Sequence, residues 1–113
     1  MKNKRQIKRG HFYSINNKSV NGHKGRIVNV KKGRVKVVSI THSKRIKSKT
    51  RNKTRTEKTI LLNQNPDRSD SRRAYVSKKP RYASLNQVGK HHPDMRVTDK
   101  RDKSLFRKIG KKK

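Results

Sequence analysis

Arg26-Ile27-Val28-Asn29-Val30, then Lys31-Lys32-Gly33, then Arg34-Val35-Lys36-Val37-Val38-Ser39-Ile40 is the stretch on which the fold turns. Both arms alternate apolar with polar residues, the period at which successive side chains of a strand face opposite ways. Between them Gly33 accepts a left-handed backbone at little steric cost, and a three-residue link of this kind predicts a hairpin. Val37-Val38 breaks the alternation, which marks either a bulge or a strand covered on both faces.

Outward from the hairpin the β signal continues in shorter pieces. His11-Phe12-Tyr13-Ser14-Ile15 follows Gly10 and is rich in aromatic and β-branched residues. Thr59-Ile60-Leu61-Leu62 and Ala74-Tyr75-Val76 are weaker runs, separated by the turn-forming Asn63-Gln64-Asn65-Pro66-Asp67. Short strands with turns between them predict a mainly β chain, a small barrel over residues 10–84. Residues 1–9 read as a basic N-terminal extension, and residues 85–113 as a basic C-terminal tail. Within that tail a short helix is expected over about residues 99–109. Thr98 or Asp99 would cap it, Leu105 and Ile109 share one face, and Gly110 would stop it.

Charge narrows the function. The 113 residues carry 36 Lys or Arg against 6 Asp or Glu, a formal charge of +30. Such self-repulsion opposes compaction, and an acidic polymer relieves it. Each cation set on a phosphate also releases a condensed counterion, so affinity falls steeply with salt. A nucleic acid is the expected partner, RNA favoured over DNA. The charge comes with no apolar helical face for a membrane surface and no stretch long enough to span one. Met1 to Gly10 lacks the apolar run of a signal peptide, so the expected compartment is the cytoplasm. With no cysteine there is neither a disulfide nor a thiolate metal site, and no cofactor is called for.

Lys44 to Lys58 holds eight basic residues in fifteen, and reads as a loop that stays mobile until phosphates neutralise it. Candidate phosphate contacts are Lys24, Lys44, Arg45, Lys47, Lys49, Arg51, Lys53, Arg55, Arg72, Arg73 and Arg81. Of the five aromatic residues, Tyr13 and Tyr75 lie inside strand signals and are expected in the core. Tyr82, after Pro80-Arg81 in a polar stretch, is the best surface on which a base could stack.

Lys8-Arg9-Gly10-His11-Phe12-Tyr13 resembles the entry strand of MazF/PemK-type toxins, small SH3-like barrels that cleave RNA, usually as dimers inhibited by an antitoxin. Gly22-His23-Lys24-Gly25-Arg26 falls where that family has a mobile loop ending in an Arg, and Val37 to Thr41 where it has an apolar strand ending in a Thr. The likeness spans roughly residues 7–84 and rests on order and spacing. Arg26-Ile27 stands where the family has Arg-Pro, and the loop after Thr41 is unusually basic. Gly25 to Val30 with its hairpin also looks like the KOW-type barrel segment of some ribosomal and transcription proteins. Both resemblances imply an RNA partner; they differ on catalysis. The first implies a metal-independent endoribonuclease, a homodimer and an antitoxin. The second implies a binder at the ribosome, and a DNA-binding protein of a mobile element is the other non-catalytic reading.

By the toxin resemblance, Arg26 would fork onto the phosphorane and Thr41 would hold a phosphate oxygen. Histidine as a residue type suits proton transfer near neutral pH, so His23, Arg26, Thr41, His42 and Ser43 form a candidate cluster if their strand ends converge. The plainer alternatives are a solvated His23, a turn-capping Thr41, and an Arg26 that is one more phosphate contact. His91-His92 with Asp94 lacks a third convergent ligand, and the acids show no pairing suited to a two-metal nuclease.

Overall fold

The computed structural model describes residues 7–17, 20–50 and 53–112. It is mainly β: strands β1 (Phe12–Asn17), β2 (Val20–Lys31), β3 (Arg34–Thr41), β4 (Arg45–Thr50), β5 (Lys53–Leu61), β6 (Tyr75–Ser77), β7 (Arg81–Ser84) and β8 (Val88–His92), then helix α1 (Lys100–Gly110). The pairings are antiparallel in the order β4-β5-β6-β3-β2-β1-β8, with β7 on β3.

The β2–β3 hairpin forms as the alternation predicts, but its link is two residues. Lys31 pairs with Arg34, leaving Lys32 and Gly33 in the turn, with Gly33 at φ +71°. Ile27 faces Val37 and Asn29 faces Lys36, so Val28 is the extra residue of a bulge in β2. The Val37-Val38 break has the other cause as well, because β3 is buried on both sides. Val37 packs with Ile7, Tyr13, Ile15, Ile27, Val35, Ala83 and Val88. Val38 packs with Phe12, Ile40, Leu62, Ala74, Val76, Met95, Phe106 and Ile109.

A single 3-10 turn over Leu85–Gln87 carries the chain from β7 to β8, and β8 returns antiparallel to β1. The path β8-β1-β2-β3 continues onto β7, and among the described residues no ladder joins β7 to β8 to close it. Residues 88–109 contribute to both cores. Val88 completes one core, while Met95, Phe106 and Ile109 fill the other.

Asp99 caps α1 by accepting from the Asp102 amide, as expected, and the helix runs one residue beyond Ile109 because Gly110 continues it. Gly110 lies so close to β2 that an added Cβ would sit 3.2 Å from Val28.

The run from Lys44 to Lys58 is a hairpin, not a loop. Arg45 pairs with Lys58, Lys47 with Thr56 and Thr50 with Lys53. Thr is β-branched and suits an extended backbone, and Thr50, Thr54 and Thr56 recur through this charged run. Beyond Lys58 the ribbon joins the body, as Thr59 to Leu61 pair with β6.

Candidate nucleic-acid interface

The structure separates the residues that the resemblance grouped. Arg26 pairs directly with Val38, so the two share a face; Thr41 lies three residues past Val38, about 10 Å along and on the opposite face. There Thr41 pairs with Tyr75 of β6, and its Oγ1 accepts a 3.3 Å bond from the Ser43 amide. That bond closes the turn into the ribbon. His42 turns outward: Nδ1 lies 3.1 Å from the Arg73 carbonyl and Nε2 lies 3.2 Å from Asp70 Oδ2. Both ring nitrogens face acceptors within the protein, which leaves neither aimed at a bound phosphate. His23 stands on β2 opposite Ile15, inside a strand rather than on a loop. Arg26, Thr41 and His42 do not converge.

Arg26 instead joins a different group. Its Nε donates to the Gly10 carbonyl at 3.3 Å, and its guanidinium lies 5.4 Å from the Phe106 ring centroid. Phe106 meets Phe12 edge-on at 6.0 Å, which fixes this floor in the core. The half-buried guanidinium opens into a cleft of about 370 Å³ between β2 and α1, whose rim carries Lys103, Arg107 and Lys111. Burial lowers the Arg26 pKa from its ordinary value, yet a guanidinium remains charged.

A second feature sits farther along the same sheet face. Tyr82 pairs with Lys36 and is 40 % exposed. The Arg34 guanidinium lies 4.5 Å from its ring centroid and the Lys36 ammonium 6.0 Å. With these cations over the ring, its exposed remainder offers a base a surface to stack on and the base's phosphates a counter-charge.

The acids explain why so much positive charge stays free. Asp67 accepts from Lys24 at 2.9 Å and from Ser69, and Asp70 forms a two-point pair with Arg72. Asp99 caps the helix, and Asp102, buried, accepts from the amides of Asn63 and Gln64. Four of the six acids thus serve internal structure. Lys24 and Arg72 are engaged by this, so two expected phosphate contacts already hold partners. Lys44, Arg45, Lys47 and Arg73 are exposed, Arg81 is half-buried on β7, and Lys49, Lys53 and Arg55 are placed by register along the ribbon. Arg51 lies outside the described residues.

The His91-His92 pair is also internal. His91 lies 2.9 Å from His11 and stacks on Tyr13, while the His92 Nε2 and the Ser14 hydroxyl are hydrogen-bonded at 2.7 Å. Among the described residues no three His, Asp or Glu side chains converge as a metal site would need.

Sequence reasoning found Arg26 and Tyr82 but not their neighbours. Phe106, Lys103, Arg107 and Lys111 reach Arg26 only through the docking of α1, and the 3.6-residue spacing of their cations was the one local clue. Against known families, curated proteins and solved structures, the chain matches none.

Proposed function

We propose that this protein binds RNA without cutting it, gripping the backbone through its cations and stacking a base on Tyr82. The observation that carries the reading is the exposed Tyr82 ring bordered by Arg34 and Lys36. A polyanion alone would be served by lysines; a solvent-exposed ring in a chain with 4 % aromatic residues favours unpaired bases, and so a single strand. The surplus of positive charge over the few acids left free suits work within a larger RNA assembly, where phosphate is dense. The separation of Arg26 from Thr41 and His42 argues against the toxin-type cleavage cluster.

The test measures binding of a labelled single-stranded RNA across salt, beside Tyr82→Ala and Tyr82→Phe, with EDTA present and the RNA ends analysed. Affinity should fall as salt rises, Tyr82→Ala should weaken binding about fivefold or more, and Tyr82→Phe should keep it. RNA cut to 2′,3′-cyclic phosphate ends would overturn the non-catalytic reading, and equal affinity for Tyr82→Ala would remove the stacking site.

A further inference from the structure

Resting on that reading, we propose that the cleft between β2 and α1 is a phosphate-binding site, taking one phosphate group of the RNA whose base stacks on Tyr82. Lys103, Arg107 and Lys111 stand four residues apart and form a single stripe of like charge along α1. Like charges at that spacing repel along a helix. The helix dipole favours cations only near the C-terminal end, so it accounts for Lys111 and Arg107 but not for Lys103 in the first half. The stripe lines the cleft into which Arg26 opens, and among the described residues no Asp or Glu lines it.

Arg26 itself is half-buried, rests on Phe106, and gives one N–H to the Gly10 carbonyl; among the described residues it has no ion-pair partner. Taking a cation partly out of water without a counter-ion is unfavourable, and an anion in the cleft would relieve both this and the repulsion along the stripe. The remaining guanidinium N–H groups suit the forked contact that phosphate oxygens accept. Gly10, at φ +82°, keeps its place beside the guanidinium free of a side chain.

Register connects this cleft with Tyr82. Arg26 is level with Val38 on β3, and Tyr82 is level with Lys36, two residues along the same strand and one strand beyond it. Strand geometry puts the two backbones roughly 12 Å apart, within reach of neighbouring nucleotides.

The experiment uses the full chain and two readouts. Inorganic phosphate is titrated while the backbone amide signals of Gly10 and Gly110 are followed by NMR. A short single-stranded RNA, with either a 5′-phosphate or a 5′-hydroxyl, is then bound to the wild type, Arg26→Gln, Arg26→Lys, Arg107→Gln and, as a distant control, Lys90→Gln. Phosphate should shift both glycine signals in the wild type and leave them still in Arg26→Gln. Arg26→Gln should weaken RNA binding about tenfold, because a charge-assisted contact is lost. Arg26→Lys should recover little of this, since lysine lacks the fork, while Lys90→Gln should cost only about two- to threefold. Dependence on the 5′-phosphate assigns a terminal group and independence an internal phosphodiester, and either upholds the site. Arg107→Gln, an exposed change, decides the matter should Arg26→Gln fail to fold. If the wild type binds RNA and both glutamine variants bind no worse than Lys90→Gln, the cleft is not a phosphate site. If the wild type does not bind RNA, the broader reading fails instead, and the phosphate titration still judges the cleft.

Discussion

Asp102, sealed in the first turn of α1, accepts a 2.9 Å hydrogen bond from the backbone amide of Asn63, just past the end of β5. A second bond comes from the Gln64 amide at 3.0 Å, and Arg101 approaches at 3.5 Å. One carboxylate thus ties the helix to the loop that follows the ribbon. Asp102→Ala should destabilise the protein by about 2–4 kcal/mol, because two amides lose a charged acceptor in a buried place. Chemical denaturation checks this, and an unchanged midpoint would contradict it.

Gly25 pairs with Ser39 where β2 runs beside β3. An added Cβ would collide with the Val37 side chain, which is fully buried. Gly25→Ala is expected to cost about 1–3 kcal/mol through overpacking, with thermal unfolding as the readout. A Gly33→Ala comparison separates causes: Gly33 has open space but a positive φ, so any loss there reflects backbone conformation alone.

Directly across the ribbon, Arg45 meets Lys58. Like charges in that position oppose the pairing. Lys58→Glu should therefore stabilise the free protein by about 0.2–1 kcal/mol. The same change should weaken RNA binding and lower the salt slope by about two units. Stability and affinity moving in opposite directions is the signature to seek; an unchanged affinity and salt slope would show that the ribbon does not touch RNA.

Stability should also respond to mild acid. Burial, with Lys24 and Lys90 adding to it and His91 close by, holds His92 below the ordinary histidine value, while Asp67 pulls weakly the other way. In this direction the unfolded chain takes up the proton first, so the contribution is complete above about pH 6.5 and is lost as pH falls toward the folded value. Melting temperature should drop as pH falls below about 7, and His92→Gln should flatten that decline. A separate fall is expected below about pH 4. Bonds from Ser69 and Lys24 to Asp67, from Arg72 to Asp70, and from the Asp102 amide to Asp99 hold these carboxylates below their usual range, so protonation removes what they contribute.

Local chemistry made part of this structure readable in advance. The alternation of Arg26 to Ile40, the positive φ of Gly33 and the Asp99 cap are properties of neighbouring residues, and each is seen where it was expected. The ribbon was hidden because its alternation is between Lys or Arg and Thr or Ser, and a test built on apolar spacing is silent there. The short β7 and β8 strands were hidden because Arg81 to Ser84 and Val88 to His92 carry few apolar residues and owe their extension to partners far along the chain. The toxin-like grouping of Arg26 with Thr41 assumed that two strand ends meet. An odd number of steps along β3 turns Thr41 to the other face, a count that needed the register.

The ribbon has one more consequence, at its outer edge. Among the described residues β4 is paired only with β5, so one side of its backbone offers N–H and C=O groups to any passing strand. Such an edge invites copies of the chain to zip together, and lysine and arginine along it are the usual safeguard. Arg45 and Lys47 thus keep neighbouring molecules apart, and a polyanion that neutralises them also lifts that protection: the chain is shielded from itself only while its charge is unmet.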